Sequence, residues 1–192
     1  MMATGMSSTI TPDEIIEFWF SQPMNQHWFK STPEIDHLIR QKYEAFWREA
    51  SAEKSAIQKT WKQTPQGCLA LIIVFDQFPL NMFRSKPESF ATESRSIELA
   101  LFGIEQAYDR QITRSQLSFF YMPLMHSEQL DHQERSVDLF ERAGLDSNIR
   151  FAKHHREIIR RFGRFPHRNI ILGRQSTEAE RVYLTSKEAF HG

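Results

Sequence analysis

Apolar residues recur along this chain at intervals of three and four, between short stretches where hydroxyl side chains, proline and glycine collect. Ile35, Leu38, Ile39, Phe46 and Trp47 fall on one face at helical spacing, and so do Ile97, Ala100, Leu101 and Ile104. Start signals precede these runs. Thr11-Pro12-Asp13-Glu14 joins an N-cap hydroxyl, a proline at the first helical position and a carboxylate able to complete a capping box. Thr32-Pro33-Glu34 repeats the pattern, Thr92 opens a third helix, and Thr113 precedes Leu117, Phe120 and Tyr121. Pro123 is predicted to stop or kink that element. Ser127 and Glu128 are predicted to begin a helix that Gly144 ends, Gly163 to end the next, and a last helix to run from Ser176 or Thr177 through Tyr183 and Leu184.

The run Leu69-Ala70-Leu71-Ile72-Ile73-Val74-Phe75 is too short for periodicity to assign. A strand needs a partner for its backbone groups, and the chain offers no other convincing strand. The run is therefore read as a buried helix, apolar on all sides. The predicted fold is all-α, stacked antiparallel helical hairpins forming one domain over residues 11–192 behind a flexible N-terminus of residues 1–10.

Composition adds little to this and excludes several functions. A chain of 192 residues, 40% hydrophobic with 16 Phe and 4 Trp, can bury a sizeable core. Twenty-four basic residues balance 24 acidic ones, so no whole-molecule field steers the protein to nucleic acid or an anionic membrane, and neither is expected as a partner. The single Cys68 leaves no internal disulfide or cysteine cluster and fits a cytosolic location. MMATGMSSTI lacks the basic patch and apolar run of a secretory signal, and the longest apolar stretch, Cys68 to Phe75, is too short to span a bilayer. Dinucleotide, P-loop, nucleophile-elbow and zinc-protease motifs do not occur, and no cofactor is implied.

The polar residues that need explaining lie on apolar faces. Leu69, Ile72, Ile73 and Asp76 share a face, which places a carboxylate among apolar neighbours near a helix end before Pro79. Such a group requires a cation or several donors, and Arg84, Arg164, Arg168 and a histidine are candidates. Either a structural ion pair or a functional site satisfies it. His155 shares an inward face with Phe151, Ile158, Ile159 and Phe162, as a core histidine or as a general base. In His126-Ser127-Glu128, Ser127 is explained as a cap and Glu128 as a first-turn carboxylate; His126 has no such explanation. From Arg150 to Arg174 eight basic residues face one acid, Glu157, and the loop Arg164-Phe165-Pro166-His167-Arg168-Asn169 has the donors for a phosphate or carboxylate. A solvated face at a helix C-terminus accounts for the same charges. Glu34-Ile35-Asp36-His37 and the pair Glu128 and His132 offer weak metal spacing. Trp19, Phe20, Trp28 and Phe29 are read as core.

Three stretches, GCLALIIVFDQFPLNMFR from Gly67 to Arg84, YMPLMHSEQLDHQ from Tyr121 to Gln133 and FGRFPHRNIILGR from Phe162 to Arg174, join Phe18-Trp19-Phe20 and Trp28-Phe29 in one resemblance. From about Thr11 to Phe190 the chain resembles the bacterial family called domain of unknown function 924. That resemblance implies a fold similar to the tetratricopeptide-repeat-like helical superfamily and supplies no reaction. Leu80 stands where the family usually has arginine, and His132 and His154 fall where histidine is not expected. Three functional readings follow. The preferred one is a helical scaffold whose basic, His-containing cleft (Arg84, Arg164, His167, Arg168, Asn169) binds an anionic small molecule or peptide. An enzyme using Asp76, His126, Glu128, His155 and His167 as acid–base groups is the alternative, and a metal-binding helical protein is another. RNA binding through Arg161 to Phe165 is opposed by the zero net charge.

Overall fold

Thr11 and Thr32 each turn a side-chain oxygen onto the backbone N–H three residues ahead, and Pro12 and Pro33 then start helices α1 (Pro12–Phe20) and α3 (Pro33–Ala50). These belong to a computed structural model that describes residues 10–192, so the flexible segment expected at residues 1–10 lies, apart from Ile10, outside the described residues. No strand occurs among the described residues. The chain continues through α4 (Ala56–Trp61), α5 (Pro65–Ile72), α6 (Phe78–Met82), α7 (Glu93–Glu105), α8 (Arg114–His126), α9 (Leu130–Ala143), α10 (Asp146–Phe162) and α11 (Glu178–Leu184), with a single turn, α2 (Gln22–Asn25), after α1. The fold is all-α.

The apolar run that sequence could not assign is α5 and its continuation. Cys68 through Val74 are completely buried, which is why no polar face interrupts the run. Helices α1, α7 and α8 pack around it. Gly103 on α7 allows a close approach: a Cβ there would stand 2.4 Å from the Phe120 ring of α8. Neighbouring pairs α7–α8, α8–α9 and α9–α10 pack as successive hairpins. Gly144 (φ 63°) and Gly163 (φ 70°) end α9 and α10 in the left-handed conformation that a side chain disfavours. Thr113 and Thr177 form full capping boxes with Gln116 and Glu180.

Several expectations are corrected. Pro123 lies inside α8, which runs on to His126, so it does not stop the helix. Ser127 ends α8 instead of starting α9; its hydroxyl accepts from the Gln129 N–H and bonds His132 Nδ1 at 2.9 Å. Glu128 therefore belongs to the connection and not to a first helical turn. Leu38 and Phe151 sit at the edges of their apolar stripes and are 44% and 46% exposed. Trp19 is core, whereas Phe29 is 77% exposed.

Most buried apolar residues form one cluster around α5, and Ile158, Ile159, Phe165 and Tyr183 form a smaller one between α10 and α11. A cavity separates parts of the two, walled by Phe75, Met122 and Met125 of the first and Phe165 of the second.

Candidate functional site

Pro79 shapes the site through its missing N–H. In a regular helix the proline ring would clash with the carbonyl four residues back, that of Phe75. The chain avoids this by widening into a π-helical turn over Ile73–Gln77, where the Phe78 N–H donates to Ile73 O, five residues earlier. The helix thus passes into α6 and does not end before Pro79 as the sequence suggested. The Phe75 carbonyl, freed of its helical partner, accepts from Thr92 Oγ1 at 2.7 Å, and that hydroxyl accepts from Trp47 Nε1 at 3.2 Å. The widened turn carries Asp76 at its centre.

Asp76 is 5% exposed, and its carboxylate accepts from His126 Nδ1 at 2.9 Å and from the Gln77 amide. No arginine bonds it, so of the four candidate partners the histidine is the one that serves. Because an ionised carboxylate only accepts, Nδ1 of His126 carries a proton, and in the neutral ring Nε2 is the nitrogen that keeps its lone pair. Both residues wall a cavity of about 580 Å³. His126 comes from the last turn of α8, 50 residues along the chain from Asp76.

Arg168, in a single 3-10 turn (Pro166–Arg168), closes the polar end. Its guanidinium lies between the rings of Phe90 and Phe165, at 4.5 and 4.6 Å from their centroids. It donates to Glu93 Oε2 at 2.7 Å and to the His126 carbonyl at 2.8 Å, while its Nε–H has no acceptor. Burial raises the Glu93 carboxyl above its usual range, the charge of Asp76 adds to this, and Arg168 and His126 oppose it.

His155 and His167 line the same cavity. His155 Nδ1–H donates to the Phe151 carbonyl one helical turn back, at 2.7 Å, and burial lowers its pKa to about 3. Burial, followed by the neighbouring Arg168 charge, lowers His167 to about 3 as well, and its Nδ1 has no partner. The Phe190 ring packs 4.5 Å from His155 and 5.0 Å from His167.

The remaining sequence candidates lie elsewhere. Glu128 receives both Arg174 terminal nitrogens, at 2.7 and 2.9 Å, and the Phe165 N–H at 2.7 Å, which together hold its carboxyl below the usual range. Arg164 is bidentate to Glu180, at 2.7 and 2.9 Å. Asn169, 1% exposed, donates to Ser176 and Glu180 and accepts from Arg174. These three tie the loop after α10 to the α8–α9 connection and to α11, and none reaches the cavity; Arg164 and Arg174 of the basic stretch are paired with Glu180 and Glu128 from outside it. Arg84 stands at the cavity rim with its fork on Asp36, at 2.7 and 3.1 Å. The weak metal spacings do not converge either. His132 is turned to Ser127, Glu128 to Arg174, and among the described residues no three His, Cys, Asp or Glu side chains are placed to hold an ion.

Glu93, Gln77, Phe90 and the apolar wall Trp28, Phe29, Met122 and Met125 were not anticipated as site residues. Glu93 follows a helix-start threonine, so its sequence context explains it fully as a first-turn carboxylate, and no local signal reports a partner 75 residues away.

Fold and site together define an all-α protein of packed helical hairpins with an Asp–His pair in the wall of a partly open polar–aromatic cavity. The chain belongs to the bacterial proteins of unknown function designated DUF924, whose family model matches residues 15–188. It is also similar to a solved protein of unknown function from Agrobacterium tumefaciens, at 32% identity and a TM-score of 0.84, over 91% of this chain and 96% of that one. Comparison with curated proteins gives no match. Among the described residues no helix is long and apolar enough to cross a membrane.

Proposed function

We propose that the cavity binds a small organic molecule and that His126, oriented by Asp76, exchanges a proton with it. The observation that carries this is the 2.9 Å contact between Asp76 and His126 in the cavity wall. A volume of about 580 Å³ falls in the range of small-molecule sites. With Nδ1–H committed to the carboxylate, Nε2 is the nitrogen available to a ligand as a base, and Asp76 stabilises the imidazolium that results. Glu128 takes no part, since its oxygens are occupied by Arg174 and Phe165. A cytosolic location and kinship with tetratricopeptide-repeat-like folds belong to the same proposal. The first is supported by a lone, buried Cys68, the second by the succession of helical hairpins.

An anionic ligand is the second reading, favoured by one feature, the Nε–H of Arg168, which lacks an acceptor beside an equally unpartnered His167 Nδ1. Arg164 and Asn169 do not serve it, because both are consumed by Glu180 and Arg174.

A thermal-shift screen of small organic acids, amines, alcohols and phosphate esters tests the proposal. A ligand at a hundred times its Kd adds about 2.7 kcal/mol to stability. The shift is expected to vanish in His126→Gln and to survive in Arg164→Ala. A shift unchanged by His126→Gln, or a flat screen at millimolar ligand, would reject it.

A further inference from the structure

The charges facing the cavity define a ligand class, an inference that rests on the small-molecule reading above. Two carboxylates stand at its polar end, Asp76 and Glu93. One cation, Arg168, stands with them and is spent on Glu93 and on the His126 carbonyl. Arg84 at the rim is cancelled by the bidentate Asp36. Burial keeps His155 and His167 neutral, since both are lowered to about 3, and His191 also lines the cavity, close enough to His167 for its charge to add to that lowering. With His126 and His191 neutral, and Arg84 set against Asp36, the side chains that line the cavity hold one negative charge more than they hold positive. Burial is the main cause that raises the Glu93 carboxyl; Arg168 and His126 oppose it, and the charge of Asp76 adds a smaller upward push.

Much of the remaining lining is apolar and partly open. Trp28, Phe29, Met125 and Phe151 belong to it, and two of these rings face water, Phe29 at 77% and Phe151 at 46% exposure. Large rings held against solvent beside a cavity offer an apolar body a surface to cover. Aromatic faces and thioethers also suit a cation approaching past them.

We propose that the ligand is a protonated amine on an apolar or aromatic body. The ammonium lies among Asp76, Glu93 and His126, and the body lies against Trp28, Phe29 and Phe151. An ammonium supplies the missing positive charge and donates to carboxylate oxygens. A carboxylate in the same place would face two like charges, with only one free donor of Arg168 to offset them.

Three near-isosteric probes test this: phenethylammonium, 3-phenylpropionate and 2-phenylethanol, compared by thermal shift and Trp fluorescence at about pH 8 on the full chain. The amine is expected to bind at least about tenfold more tightly than the carboxylate. Asp76→Asn and Glu93→Gln should each erase that preference, and the double variant should reverse it in favour of the carboxylate. Circular dichroism establishes which variants are folded; should the double variant unfold, the two single variants carry the test. Tighter binding of the carboxylate by the native chain, or a preference untouched by both single variants, overturns the inference and leaves the small-molecule site standing. No binding of any probe also overturns it. The proton-transfer reading fails separately, only if the broad screen is flat or insensitive to His126→Gln.

Discussion

At the scale of single residues, Asp76 was the most informative position in the sequence. A carboxylate at i+7 on a face of leucine and isoleucine announces a buried charge that needs donors, and it is 5% exposed with two donors, His126 and Gln77. Its partner was not legible, because four basic candidates were compatible with local spacing and only the tertiary path brings α8 to the π turn. The same limit hid Glu93. His126 was singled out because no cap or helix-dipole role explained it, and that kind of argument works when the competing structural role is cheap to name. Removing the acceptor has a calculable consequence. Asp76→Ala leaves the part-buried His126 N–H without a partner, at about 1–3 kcal/mol, and the Gln77 amide with only the weak acceptor Met122 Sδ. Asp76→Asn keeps a carbonyl for His126 and should lose less than half as much. Urea denaturation of the two variants measures the difference; equal losses would mean that the carboxylate is solvated and that the contact is loose.

At the scale of elements, the helices with threonine starts were readable because their signals are local: Thr11, Thr32, Thr113 and Thr177 all cap, the first two with proline next in the chain. Ser127 misled because serine ends a helix as readily as it begins one when its hydroxyl can reach both the next turn and His132. The π turn was beyond reach, since its cause, Pro79, reads equally as a helix stop. What stabilises the turn is the hydroxyl of Thr92, the replacement donor for Phe75 and the acceptor for Trp47. Thr92→Val should therefore cost about 1–3 kcal/mol, the desolvation of one buried acceptor with the loss of a second bond, whereas Thr92→Ser keeps both bonds and loses only a methyl group. Equal destabilisation by Val and Ser in chemical denaturation would show that packing of the methyl matters and the bonds do not. Gly103→Ala presents the opposite problem. Its new methyl would meet the Phe120 ring at 2.4 Å, so α7 and α8 must separate, and the expected loss is about 1–3 kcal/mol, seen as a lower urea midpoint at unchanged slope.

At the scale of the whole molecule, the zero net charge conceals an internal imbalance that acid will expose. His155 and His167 are held neutral at values near 3 by burial, against 6.5 in an unfolded chain. Between those values the unfolded state binds protons that the folded state refuses, so stability falls as pH falls, by up to about 1.4 kcal/mol per pH unit for each histidine. The loss starts near pH 6.5. The carboxylates lowered by their partners, Asp36 by Arg84, Glu128 by Arg174 and Glu180 by Arg164, contribute stability above their ordinary values and lose it only as pH drops below about 4.5. Two phases are therefore expected in a plot of unfolding free energy against pH, a histidine phase and then a carboxylate phase. His155→Leu should flatten the first by close to half and leave the second unchanged. We propose further that residues 11–192 unfold as one unit, because α10 carries Ala152 in the larger apolar cluster and Ile158 and Ile159 in the smaller one. In that case Trp fluorescence, which reports on Trp19, Trp28, Trp47 and Trp61, and far-ultraviolet dichroism should give coincident transitions at every pH. Separate transitions would split the helices α10 and α11 from the rest. A profile flat from pH 7 to about 4.5 would mean that both histidines reach solvent, and with that the enclosed polar end on which the ligand assignment depends would be lost.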